Sequence, residues 1–429
     1  MIGGILAAFK RKDFCYYWTG LLVSVIGSWI QFTAQSWFVI TMTNSPMKLG
    51  ILGAAQFIPI LLFSLLIGPI IDYFPKKTII IYAQIVTMFL SIIFAALVYL
   101  ETIEYWHILL LTVLMGFANA IDVPARQAYL ADLVDRQDIH SAIAMNTTIF
   151  NLARIVGPIL AGYITASFGI KWCFIFNSIS FIAFIFALFK IAHTVAPHLQ
   201  ERSSPPIATV TVAFSWKKIF SDMNDGIKHL TENPLLIKTI IILFIIGTLG
   251  HNFNILIPIF TKNVLFLPEK DLGILWVPLG IGSLVGALTI HHINKIIPAN
   301  LTGLILHSIL LSFSLIALGY SNSFHSTMLM LILCGMTTIW PATVANTIVL
   351  LNTEGKYRGR AMSIYTLVFA GSTPFGNFLF GAIAEGLGGQ VAFTMGGISI
   401  ITVLAITLSY WHRHLFRYNI IQTIIQKLF

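Results

Sequence analysis

From Lys77 to Leu100 the chain reads KTIIIYAQIVTMFLSIIFAALVYL, and Gln84 is the one strongly polar side chain deep within it. An α-helix needs about 20 mostly apolar residues to cross a bilayer. This stretch is long enough. A strand of a membrane barrel would alternate apolar and polar residues over about ten positions, and no such alternation is present. The stretch therefore reads as a transmembrane helix. The same reading holds for runs at 14–42, 48–71, 105–133, 141–167, 171–193, 235–262, 270–293, 298–320, 325–351, 361–386 and 390–412. Pro, Gly, Asn and Asp punctuate most of the short connections, as turns require. The expected fold is an all-α polytopic membrane protein with twelve transmembrane helices arranged as two six-helix bundles.

Composition excludes the soluble alternatives. Of 429 residues, 57% are hydrophobic and 10% charged, with a mean hydropathy of +0.87. Soluble domains average about 25% charged residues, and a chain this long could not cover its surface with so few. The formal charge of +9 does not imply nucleic-acid binding, because the basic residues sit between apolar runs and form no aromatic-interleaved patch. Cys15, Cys173 and Cys334 are scattered and read as inert thiols. The short apolar start before Lys10-Arg11-Lys12 is no signal peptide, so the first run is its own insertion signal.

Basic residues also set the orientation. With the N-terminus inside, Lys10, Arg11, Lys12, Lys76, Lys77, Arg136, Lys190, Lys217, Lys218, Lys295, Arg358, Arg360 and Arg413 all fall on inner segments. The outer segments hold Lys48, Lys171, Lys262 and Lys270. Both termini are expected in the cytoplasm. The longest connection, 194–234, separates a bundle at 1–193 from one at 235–429. Within it, Trp216, Ile219, Phe220, Met223, Ile227 and Leu230 recur at helical spacing opposite Lys217, Lys218, Asp222, Asp225 and Lys228. That pattern predicts an amphipathic helix on the inner lipid surface, and the basic, apolar tail after Trp411 has the same character. Faint self-similarity, Gly116…Pro124 with Gly335…Pro341, supports duplication of a six-helix unit.

Polar residues in membrane helices tend to face the bundle interior or a water-filled cavity. The third, sixth, ninth and twelfth runs are nearly bare, with Gln84, Asn177 and His307 as their deep polar residues, and read as lipid-facing supports. The others line a central path. Candidate substrate and coupling residues are Gln31 and Gln35 in the first run, Asn119, Asp122 and Arg126 in the fourth, Asn151 and Arg154 in the fifth, and His251 and Asn254 in the seventh. Asp122 and Arg126 stand at i, i+4 and can neutralise each other. Arg154 has no local acidic partner, which suits a substrate anion or a carboxylate on another helix. Desolvation could poise Asp122 to carry a proton, and His251 is a second titratable group. Trp29 and Trp340 could stack an aromatic substrate, but a packing or interface role is the more common one for such residues.

Gly68-Pro-Ile-Ile-Asp72-Tyr-Phe-Pro-Lys76-Lys77 resembles the signature loop of the major facilitator superfamily, Gly-x-x-x-Asp-Arg-x-Gly-Arg-Arg/Lys. Gly68, Asp72, Lys76 and Lys77 match, while Tyr73 and Pro75 depart. The matching residues are expected to form a conformational latch. Further matches are Asp13-Phe14-x-x-Tyr17-Trp18-x-Gly20, Asp122-Val-Pro124-Ala125-Arg126-Gln127, Asn151-Leu-Ala-Arg154-Ile-Val-Gly157-Pro158 and Arg358-Gly359-Arg360. Together these resemble the superfamily branch of siderophore and drug efflux proteins that contains the bacterial enterobactin exporter. The resemblance implies a secondary carrier of the bacterial inner membrane, usually a proton-driven exporter of a small organic molecule, monomeric by superfamily default. Thr112 and Met115 stand where many proton-coupled drug exporters carry Arg and Gln. Coupling is therefore expected to fall to Asp122, Arg126 and Arg154.

Two other functions fit the same residues: an uptake carrier for a small polar or anionic metabolite, and a non-transporting receptor or assembly protein on a carrier scaffold. No HExxH, GxSxG or Walker-type loop is present, so no enzyme and no cofactor is expected. The expected partners are a small molecule, protons and membrane lipid.

Overall fold

The computed structural model describes residues 7–191, 227–354 and 357–428, with side chains at 64–70, 72, 73, 136 and 412–428 left undescribed. Gly68 and Asp72 of the expected latch, and most of the expected amphipathic helix, lie outside these limits. Residues 227–232 of that helix are helical.

The described residues form helices throughout. The first half contains α1 (Lys12–Thr43), α2 (Pro46–Tyr73), α3 (Lys76–Tyr99), α4 (Tyr105–Leu130), α5 (Ile139–Phe168) and α6 (Lys171–Lys190). The second half contains α7 (Pro234–Gly250), α8 (Phe253–Asn263), α9 (Glu269–Ile296), α10 (Leu301–Gly319), α11 (Phe324–Asn352), α12 (Arg358–Leu387) and α13 (Gly389–Leu428). Eleven helical segments among the described residues are long and apolar enough to cross a membrane, with α7 and α8 counted together. The twelfth crossing is α1, whose apolar character is diluted by Gln31 and Gln35, both buried inside the protein.

Local chemistry explains the element ends. Asn233 caps α7 by accepting from the Leu235 and Leu236 backbone N–H groups at 3.0 and 3.4 Å, with Pro234 in the first turn. Asn300 caps α10 through the Gly303 N–H at 2.9 Å. Gly169 closes α5 at φ +91° and Gly388 closes α12 at φ +87°, a backbone region in which a side chain is strained. These two glycines occupy equivalent places in the two halves. So do Gly116 of α4, packed on α2 at Gln56 and Pro59, and Gly335 of α11, packed on α9 at Leu279 and Ser283.

Two helix pairs make most of the contact between the halves, α2 with α12 and α5 with α9. Small residues make both approaches possible, since apolar side chains gain nothing by leaving lipid and association depends on close packing. A Cβ on Gly50 of α2 would lie 2.8 Å from the Gly381 Cα of α12. A Cβ on Gly162 of α5 would lie 2.9 Å from the Lys270 carbonyl oxygen of α9.

Two expectations need correction. The run at 235–262 is not one helix, because the chain breaks at His251 and Asn252 between α7 and α8. The crossing expected at 390–412 is found at Gly389–Trp411, and its helix α13 continues to Leu428. The third run is not a plain lipid-facing support. Tyr82, Val86 and Phe89 do face outward, but Gln84 and Thr87 point to the centre.

Candidate functional site

Between the halves lies a cavity of about 560 Å³. Its wall draws on α1 to α6 from the first half and on α8, α9, α11, α12 and His251 from the second. Six of the nine residues expected to bind or couple are brought together there: Asn119, Asp122, Arg126, Arg154, His251 and Asn254.

Asp122 is 2% exposed. Its Oδ2 lies 2.9 Å from the Arg126 Nε one turn along α4 and accepts from the Gln84 Nε2 of α3 at 2.9 Å. The Ser24 hydroxyl of α1 donates to the Gln84 Oε1 at 3.3 Å. The other carboxylate oxygen, Oδ1, is buried without a partner. The Arg126 Nε stands close to the carboxylate but is poorly aligned for a hydrogen bond, so the pairing is ionic more than directional. This arrangement leaves a place for a proton on Oδ1 without moving another helix.

Arg154 approaches the cavity from α5. Among the described residues it forms no ion pair. Its guanidinium lies over the Trp29 ring, 5.7 Å from the centroid. His251 sits at the helix break, its Nδ1 3.2 Å from the Ile246 carbonyl oxygen and its ring 5.1 Å from that of Phe369 in an edge-to-face contact.

The remaining three candidates are elsewhere. Gln31 turns into the first half, where its Oε1 accepts from Ser91 at 2.7 Å and Asn177 at 2.6 Å. Gln35 donates to the Thr112 hydroxyl at 2.6 Å. Both tie α1 to its neighbours rather than face the cavity. Asn151 donates to the Thr147 carbonyl of its own helix at 3.1 Å. Trp340 likewise packs inside the second half, with its indole N–H on the Gly286 carbonyl at 3.1 Å. Trp276 was missed by sequence reasoning. It meets Trp29 across the cavity with ring centroids 5.7 Å apart, and nothing in the sequence around it marks it out from an ordinary lipid-facing tryptophan.

One end of the cavity is closed by bonds between the halves. The Glu385 Oε2 at the end of α12 accepts from the Ser45 hydroxyl at 2.8 Å and the Met47 backbone N–H at 3.0 Å. It thereby caps the N-terminus of α2 in the other half. The Lys262 Nζ on α8 donates to the Ile40 carbonyl at 2.7 Å and the Asn44 Oδ1 at 2.9 Å, at the C-terminus of α1. A carboxylate thus meets a helix N-terminus and an ammonium meets a helix C-terminus, as the helix dipole favours. At the opposite face, where α1 and α12 begin, Lys76 instead binds Asp132 at 2.8 Å and Lys77 the Ile191 carbonyl at 2.8 Å, both within the first half. Arg11 pairs there with Asp135, whose hydrogen bond and charge raise the guanidinium pKa above its ordinary value. Among the described residues no group of three or more His, Cys, Asp or Glu could hold a metal ion.

A gated cavity between two duplicated membrane bundles defines a secondary transporter of the major facilitator type. The model of the transmembrane secretion effector family matches residues 3–418, and the chain belongs to that family. It is 26% identical to the staphyloferrin A transporter of Staphylococcus aureus, over 90% of this chain and 94% of that protein. It is 20% identical to macrolide efflux protein A of Streptococcus pyogenes, over 92% and 94% of the two chains. Among solved structures, the nucleoside transporter NupG superposes with a TM-score of 0.72 at 14% identity, over 93% of this chain and 99% of that one. The family and these relatives are transporters, not enzymes.

Proposed function

We propose that the protein is a proton-driven exporter of a small organic molecule of siderophore-like or drug-like kind, working by alternating access. The protonatable carboxylate of Asp122, set in the wall of a cavity shared by both halves, carries this reading. Efflux proteins among the relatives support the outward direction. The basic residues support cytoplasmic termini in the bacterial inner membrane, which makes the Glu385 and Lys262 face the outer one. On that orientation the bonds between the halves lie at the outer end, which supports an inward-facing state. Substrate enters from the cytoplasm, and a proton from outside reaches Asp122 after the outer bonds part. Protonation weakens the hold of Asp122 on Arg126 and Gln84, which frees α4 to move relative to α3. The rest of the cycle is a rocking of one half against the other about the α2–α12 and α5–α9 contacts.

Deletion and complemented strains grown with and without iron, compared by mass spectrometry of cells and medium, test this. A compound that accumulates inside and leaves the medium on deletion is expected. Wild type restores it, and Asp122→Asn, at equal abundance, does not. A compound left unconsumed outside would reverse the direction and establish uptake.

A further inference from the structure

The cavity wall carries two arginines and one carboxylate, and the carboxylate is already held by Arg126. The Arg154 charge is therefore left without a counter-ion in a largely apolar wall, where an unpaired charge is costly. A second donor is also unused. Trp276 is 4% exposed, lines the same cavity, and its indole Nε1 is buried with no hydrogen-bond partner. Buried polar groups left this way need an explanation.

Both side chains stand against one ring. The Arg154 guanidinium lies over Trp29 and the Trp276 ring meets it edge-on. Phe32 completes the group, 5.5 Å from Trp29 and 6.3 Å from Trp276. The helices that carry the donors are locked together beside them, because a Cβ on Gly280, one turn after Trp276, would lie 2.5 Å from the side chain of Ile155, next to Arg154.

Resting on the transporter reading above, we infer that the substrate is an organic anion with a flat apolar body, its oxyanion held between the Arg154 guanidinium and the Trp276 indole N–H, its body against Trp29 and Phe32. Arg154 belongs to the first half and Trp276 to the second. The anion therefore bridges the halves, and its departure loosens them. Trp276 is a specificity residue in this arrangement: its ring packs the body and its N–H reads the charge.

The test is equilibrium binding to the purified full chain in nanodiscs, measured by calorimetry with 2-naphthoate and 2-naphthamide. The pair share a body and differ in charge. Wild type is expected to bind the naphthoate at least about tenfold more tightly, the size of a charge-assisted hydrogen bond. Arg154→Gln should erase that preference, Arg154→Lys should keep part of it, and Trp276→Phe should weaken the naphthoate several-fold while sparing the naphthamide. Gel filtration establishes that each variant is folded. Equal affinities in wild type, no naphthoate binding, or a preference that survives Arg154→Gln in a folded protein would overturn the inference. Binding needs neither flux nor a proton gradient, so these results stand apart from the transport test. Export of a neutral compound would leave the transporter reading intact and sink this one.

Discussion

Asp122 and Gln31 are both buried polar residues of the first half, yet the structure gives them different work. Asp122 keeps an oxygen free at the cavity, whereas Gln31 spends its carbonyl on Ser91 and Asn177. Replacing Gln31 by Leu should therefore lower thermal stability by about 1–2 kcal/mol, since two buried donors lose their acceptor, and leave ligand affinity unchanged. Thermal denaturation and binding measured on one preparation would separate the two effects. The sequence marks both residues as costly in lipid but not as different. Spacing places Ser24, Ser28, Gln31 and Gln35 on one face of α1. It does not say which of them meets a neighbouring helix and which meets the cavity. The charged pair Asp122–Arg126 and the solitary Arg154 were legible because a charge in a membrane helix stands out. Trp276 was not, because a tryptophan there is unremarkable until its partner rings are placed.

At the scale of elements, the apolar runs were long enough to place twelve crossings within a few residues. The break between α7 and α8 is hidden in a continuous apolar run, with Gly247, Gly250, Asn252 and Asn254 as its faint sign. A break leaves backbone groups unpaired, which is tolerated where they face protein or a cavity, and His251 and Asn254 do line one. The two glycine contacts between halves make a sharper prediction. Gly381→Leu would drive a side chain into the Gly50 backbone and should block closure of this face. Transport should fall by more than tenfold while abundance stays near normal. Flux assays beside immunoblots read this, and full activity would show that α2 and α12 need not approach so closely.

For the whole molecule, the account turns on one face being held shut by helix-end charges, so that the cavity is reached from the other. Each such contact at an exposed helix end contributes about 0.3–1 kcal/mol, so Glu385 and Lys262 together bias the equilibrium by roughly three- to thirtyfold. That is enough to favour one state and small enough to be reversed in each cycle. Removing both, as Glu385→Gln with Lys262→Met, should shift the population toward the opposite opening without unfolding the protein. The most direct measurement places a single cysteine at Ser28 in the cavity, with the native cysteines replaced by serine, and reacts it with a membrane-impermeant maleimide in inside-out and right-side-out vesicles. The account predicts fast labelling from the cytoplasmic side alone, and labelling from the outer side that rises several-fold in the double variant. Labelling of the parent from the outer side, or a double variant indistinguishable from it, would contradict the account.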